Sequence, residues 1–143
     1  MQIKIKHEFI GEIINFLVAL NVKGKQNRHR IRFVNALQDR YKQIAEEEME
    51  LIKEYAGVDD EGLPKRKDND AFDVHDVKGF KKQQEDLFAE EFVLEGGDNH
   101  GMLKTMKSIV FNYDEEVSGR TAFVFNHLYE AFDNAKEEKE SAE

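Results

Sequence analysis

The sequence predicts a mainly α-helical (α+β) domain: a helical hairpin with a long central helix, further C-terminal helices and a small β element. Apolar residues recur at three- and four-residue steps over most of the chain, whereas only three short stretches favour strands. A single proline among 143 residues leaves the helices uninterrupted, and eleven phenylalanines can fill a core. We therefore expect one domain over residues 1–135 with an N-terminal strand, followed by a frayed acidic tail over 136–143.

The N-terminal elements follow from a change of period. Ile3 and Ile5 alternate with polar residues, which predicts a half-buried strand over 2–6. From residue 8 to residue 20 the apolar residues follow a helical period instead, so a helix is expected there. Residues 21–27 contain Gly24 and are expected to connect this helix to the next one.

The central helix is predicted from Asn27, a suitable N-cap, to Ala56, with Gly57 after its end. At 1.5 Å per residue it would be about 45 Å long, which exceeds the width of so small a domain. Its apolar seam comprises Val34, Leu37, Tyr41, Ile44, Glu48, Leu51 and Tyr55. We expect a hairpin with the first helix; a self-associating coiled coil is the alternative. Because the helix is so long, a homo-oligomer is also expected, with a candidate self-association surface at Leu51, Ile52 and Tyr55.

The C-terminal elements are marked by turns and caps. Residues 57–76 form a polar loop in which residues 72–74 favour a short strand or arm. Asp76 precedes a third helix, and a β-favouring run over 92–94 is a candidate partner for the first strand, with no register implied. Two further helices follow, and Ser118 is a candidate cap of the last one.

The sequence contains no recognisable catalytic or metal-binding pattern. Cysteine is absent, which excludes disulfides and thiolate chemistry, and no two of the five histidines have the i, i+4 spacing of a zinc pair. The glycine-rich run at 96–101 lacks a phosphate-binding signature and is expected to be a turn into a helix. We therefore expect no enzyme activity, no catalytic residue, no cofactor and no metal.

Charge is distributed unevenly along the chain. The net charge is −9, yet residues 1–40 carry +5 and residues 41–63 carry −6. Five cations lie within ten residues that contain no acid: Lys23, Lys25, Arg28, Arg30 and Arg32. Cations at the start of a helix oppose its dipole, so local helix stability does not explain them. They are therefore candidates for docking an anionic partner, such as an acidic or phosphorylated protein.

Two other interpretations of this basic segment stay open. The protein's own acidic stretches could neutralise it, within one chain or across an oligomer. Nucleic acid is the less favoured ligand, because proteins that bind single strands usually add exposed aromatic platforms.

Several sequence blocks resemble a known family. They are the N-terminal IKIK strand, LNVKGKQNRHRIRFVNAL, LIKEYAGVDDEG, EEFVLEG and LKTMKSIVFNYDEEVSGRTAFVFNHLYEAF. Together they are similar to a family of short uncharacterised proteins, a domain of unknown function, from phages and prophages of Gram-positive bacteria. The resemblance spans about residues 1–133 and is weakest in the loop at 64–82. It implies a phage genome context and no enzyme activity or cofactor.

These observations together predict a non-enzymatic phage or prophage accessory protein that acts by protein–protein binding in tail or virion assembly. The alternative is an acidic inhibitor of a host nucleic-acid enzyme, with carboxylates that imitate a phosphate backbone. The N-terminal apolar stretch is interrupted by Glu8 and Glu12, so we expect neither a signal peptide nor a membrane span. The expected location is the host cell cytoplasm.

Overall fold

The computed structural model of the chain describes residues 1–135. Five α-helices and two strands are connected in the order β1 (Gln2–Lys6), α1 (His7–Val18), α2 (Gly24–Ala56), α3 (Val77–Ala89), β2 (Glu91–Glu95), α4 (His100–Phe111) and α5 (Gly119–Asp133). A single 3-10 turn over Gly97–Asn99 leads into α4, as expected for the glycine-rich run. The mainly helical fold class with a long central helix and a small β element is confirmed. The predicted acidic tail over 136–143 lies outside the described residues.

The two strands pair antiparallel, which confirms the pairing that the sequence suggested. Ile3 lies opposite Leu94, and Ile5 lies opposite Phe92. Ile3 and Ile5 are fully buried, and Leu94 is nearly so. The register follows from this burial, because a slip of one residue would turn both isoleucines to solvent.

The core lies between β1, α1, the first two thirds of α2, α4 and α5. Its largest fully buried side chains are Phe33, Phe132, Ile3, Ile5, Ile10, Ile13, Leu17, Leu37, Leu103, Met106 and Leu128. The rings of Phe33 and Phe132 have centroids 5.9 Å apart, which joins α2 to α5 at the centre. The apolar helix faces that the sequence periodicity predicts therefore face this core.

The predicted start of α2 at Asn27 is wrong by three residues. The helix begins at Gly24 after Lys23, and the Asn27 backbone N–H already donates to the Lys23 carbonyl at 2.8 Å. Asn27 does not cap α2, because its side-chain oxygen accepts a hydrogen bond from Arg30 instead. The predicted end is confirmed: Gly57 follows Ala56 with a positive φ of 76°, a conformation that glycine adopts without strain.

The loop over 57–76 folds back against the distal end of α2. Two isolated β-bridges, Val58 with Pro64 and Arg66 with Phe72, give it internal order, and Pro64 is buried. The His75 N–H donates to the Tyr55 carbonyl at 2.9 Å. This contact attaches the far side of the loop to the last turn of α2.

Helix α3 begins as predicted after Asp76. The Asp76 carboxylate accepts a hydrogen bond from the Gly79 N–H at 3.1 Å. A Cβ at position 79 would lie 2.4 Å from the other oxygen of that carboxylate, so the Asp76 side chain would have to shift to admit any other residue there. Ser118 occupies the N-cap position of α5, but its side chain makes no capping hydrogen bond.

Candidate functional site: the outer face of helix α2

Arg30 differs from the other cations of the basic segment, because its side chain turns inward. Its guanidinium donates to the carbonyl of Leu17 at 3.1 Å, to that of Leu20 and to the side-chain oxygen of Asn27. The last carbonyls of a helix have no partner within the helix and lie at its negative end. Arg30 adds a charged donor to the Leu17 carbonyl at the end of α1 and to the Leu20 carbonyl just beyond it, so it has a structural role and is not free to dock a partner.

The four other cations of the segment, Lys23, Lys25, Arg28 and Arg32, are exposed. We call them the basic cluster. Within residues 1–135, no carboxylate lies within 4.0 Å of any of them. The first turn of α2 also contains no acidic residue. Over the described residues, the structure therefore gives these charges no internal counterion.

The distal half of α2 carries the opposite charge. An open groove of about 740 Å³ runs along it, lined by Gln43, Glu46, Glu47, Glu50, Leu51, Lys53, Glu54 and Val58. Glu50 lies 3.6 Å from Lys53, an exposed pair of the kind that contributes little to stability. The groove thus combines several solvent-exposed carboxylates with two apolar side chains.

The apolar surface predicted for self-association is largely covered by the chain itself. Ile52 is 8% exposed, and the Tyr55 ring packs edge-on against Phe80 with centroids 5.7 Å apart. Leu51 is half-buried and lines the acidic groove. Helix α3 and the loop over 57–76 therefore pack against much of the surface that the sequence predicts for self-association.

A second groove, of about 450 Å³, separates the end of α1 from the start of α5. Arg120 donates two hydrogen bonds to the Glu12 carboxylate at its rim, at 2.7 and 2.8 Å. These bonds lower the pKa of Glu12 and raise that of Arg120. Each group stays in its charged form, which suits an ion pair between helices and not proton transfer.

Three of the five histidines make contacts between elements of the fold. His7 is buried, and its Nδ1 donates to the Leu87 carbonyl at 3.0 Å. His29 Nδ1 lies 2.6 Å from the Thr105 hydroxyl and so links α2 to α4. His127 stacks on Phe9 with centroids 4.2 Å apart, and its Nε2 accepts from the Lys6 N–H at 3.4 Å. Burial, and secondarily the nearby Lys6 charge, lower the pKa of His127.

No metal or membrane site emerges from the part of the chain that is described. Among residues 1–135 there is no group of three His, Asp or Glu side chains placed to hold a metal ion. Nor is any helix within that range both long and apolar enough to cross a bilayer. The arrangement best placed to contact another molecule is thus the charged exposed side of α2.

The angular position of each residue around the helix axis distinguishes the inward Arg30 from the exposed cations, and it can be calculated from the sequence alone. Arg30 precedes Phe33, Val34 and Leu37 by three, four and seven residues, so it shares their buried face. Arg28 and Arg32 lie on the opposite side. No comparable sequence pattern predicts that Ile52 is buried, because its burial depends on contacts between distant parts of the chain.

Comparison of this chain with protein-family models, with curated proteins and with solved structures finds no match.

Proposed function

We propose that this protein is a non-enzymatic accessory factor of a phage or prophage that acts by protein–protein binding, in tail or virion assembly. The basic cluster at the start of α2 binds an acidic protein surface. The phage setting of the proposal comes from the family resemblance of the sequence blocks. Its binding chemistry comes from the outer face of α2.

One observation supports the binding role above the others. Lys23, Lys25, Arg28 and Arg32 are exposed at the positive end of a helix dipole, with no carboxylate of residues 1–135 within 4.0 Å. For Lys23 and Lys25, at the cap and in the first turn, such a charge costs about 0.3–1 kcal/mol of local helix stability when exposed. An acidic partner would remove this cost and gain from the complementary potential, which orients a partner more than it adds affinity.

The test uses a defined acidic probe and two double variants. Fluorescence anisotropy measures binding of a labelled 20-residue polyglutamate peptide to the wild type, to Arg28→Gln/Arg32→Gln and to the control Lys81→Gln/Lys82→Gln. The control removes two exposed cations from α3. We expect binding that falls with added salt, weakens in the α2 variant and is unchanged in the control. Equal binding by all three proteins would contradict the proposal.

The proposed role in phage assembly can be tested in a phage-infected culture. Tagged wild-type protein and Arg28→Gln/Arg32→Gln are expressed during infection, and the co-purified proteins are compared. The assembly role predicts virion or tail proteins that bind the wild type and are lost with the variant. Recovery of the same virion proteins by both would place the binding surface elsewhere.

The acidic groove favours a second candidate function, inhibition of a host nucleic-acid enzyme. Glu46, Glu47, Glu50 and Glu54 place four carboxylates over about 12 Å of helix, a density close to one phosphate per about 3.4 Å of a DNA strand. This candidate predicts that Glu46→Gln/Glu50→Gln abolishes inhibition of a host nuclease or polymerase. The assembly role predicts no inhibition by the wild type.

A further inference from the structure

Most of the exposed charges of α2 lie along one strip of the helix, with Lys42 and Glu47 to either side of it. With 3.6 residues per turn, Arg28, Arg32, Asp39, Glu46 and Glu50 fall within about 40° of one another around the axis. Lys25, Gln43 and Glu54 lie beside them, and all eight residues are exposed. We call this strip the outer stripe. It runs opposite the face that carries Phe33 and Leu37 into the core.

The outer stripe is positive at one end and negative at the other. Its cations are Lys25, Arg28 and Arg32, and its carboxylates begin at Asp39 and continue to Glu54. This order is the reverse of what a helix dipole prefers, since the dipole favours acids at the N-terminus and cations at the C-terminus. Both ends of the stripe would gain from a helix that runs the other way.

We propose that two copies of this protein pair through their outer stripes, with the two α2 helices antiparallel. If a two-fold axis passes near Asp39, Arg28 of one copy lies opposite Glu50 of the partner subunit. Arg32 then lies opposite Glu46 of the partner subunit, since both pairs of residue numbers have the same midpoint. Two positions are not complementary in this register: the two Asp39 carboxylates face each other at the axis, and Lys25 lies opposite Lys53 of the partner subunit, next to Glu54. The symmetry repeats each pair.

This inference rests on the proposed binding role of the basic cluster and names its acidic partner as a second copy of the chain. A parallel arrangement would set like charges against each other, so charge complementarity selects the antiparallel one. The interface is polar, and exposed ion pairs are individually weak. We therefore expect a reversible dimer that weakens about tenfold or more between low and high salt.

Two charge-reversal variants, measured alone and as a mixture, test whether the outer stripes pair. Arg28→Glu/Arg32→Glu places glutamate at positions 28, 32, 46 and 50, and Glu46→Arg/Glu50→Arg places arginine at the same four positions. Each variant alone should sediment as a monomer at about 100 μM, a concentration at which the wild type associates. An equimolar mixture should form heterodimers, because at positions 28, 32, 46 and 50 every glutamate of one chain then faces an arginine of the other. A mixture that stays monomeric would overturn the proposal.

Cross-linking tests the register, since the chain has no native cysteine. Asp39→Cys places a thiol near the two-fold axis and should give a disulfide-linked dimer under mild oxidation. Lys25→Cys lies on the same stripe, but its thiol would be about 40 Å from its symmetry mate. The first variant should cross-link at least tenfold faster than the second. Equal rates would overturn the antiparallel register.

The outcomes separate this inference from the proposed function. A wild type that remains monomeric yet binds polyglutamate through Arg28 and Arg32 overturns the dimer alone. A protein that neither associates nor binds the peptide overturns both. Pairing through the outer stripe would also cover the carboxylates that an inhibitor of a nucleic-acid enzyme needs to expose.

Discussion

The first two thirds of α2 and its last third are held in place by different parts of the chain. Over residues 24–44, Phe33, Leu37 and Ile44 belong to the main core. Over residues 45–56, Ile52 and Ala56 are buried outside that core. Their surroundings are α3 and the loop over 57–76, which are attached by the Tyr55–Phe80 ring contact and the hydrogen bond from Gln84 to Glu48.

This difference implies two levels of local stability along one helix. The first part packs on the main core through Phe33, Leu37 and Ile44, so the helix around these residues opens only when the core opens. The last part depends on a smaller apolar cluster and on a polar loop. Segments with few buried apolar contacts open at lower free energy than the core does. We expect α2 to exchange its amide hydrogens faster over residues 45–56 than over residues 33–44, which carry its main-core contacts.

The largest expected effect comes from truncating one buried side chain in each part. Phe33→Ala should lower the free energy of unfolding by about 3–5 kcal/mol, and Ile52→Ala by about 2 kcal/mol. Urea denaturation measures both losses, with Phe123→Ala as the control, since that ring is 70% exposed. Hydrogen exchange should show that Ile52→Ala accelerates residues 45–56 only. Equal acceleration throughout α2 would contradict the two-level description.

The next largest effect is a difference in stability between variants of the inward Arg30 and of the exposed Arg28 at the start of α2. Arg30→Gln should cost about 1–2 kcal/mol, because the Leu17 and Leu20 carbonyls lose a charged donor. Arg28→Gln, two residues away on the exposed side, should change stability by less than about 0.5 kcal/mol. Thermal and urea unfolding of the two variants in parallel checks this contrast. Similar losses would place both arginines in the same structural role.

The smallest effect is a dependence of stability on pH through His127. Since its pKa is lowered in the folded protein, the folded state favours the neutral ring. Its contribution to stability should be fully present above the unfolded value of about 6.5 and be lost as pH falls below it. His127→Phe keeps an aromatic ring against Phe9 and removes the titration. Between pH 7.5 and 5 the variant should lose less stability than the wild type; an equal loss would contradict this role.

Much of the fold could be predicted from the sequence because it is encoded in local periodicity. Alternation at Ile3 and Ile5 predicts β1, and the spacing of Met102, Leu103 and Met106 predicts the buried face of α4. The pairing of β1 with β2 could be expected, but its register depends on which side chains the assembled core can bury.

The candidate site was less predictable. All five cations at the start of α2 look equivalent in a linear sequence, and only their helical phase sets Arg30 apart. The sequence predicts an exposed surface at Leu51, Ile52 and Tyr55, because no pattern within α2 indicates that residues 57–80 fold back against it. Its burial is a tertiary effect, and periodicity within α2 carries no information about it.

The central claim is that the exposed cations of α2 serve binding, whereas its inward residues serve folding. The most direct test is the free energy of unfolding of Arg28→Gln/Arg32→Gln in about 0.5 M NaCl, where exposed ion pairs between copies are screened. We predict a value equal to that of the wild type, because both side chains are exposed and neither has a carboxylate of residues 1–135 within 4.0 Å. A loss of more than about 1 kcal/mol would show that these arginines stabilise the fold and would contradict the claim.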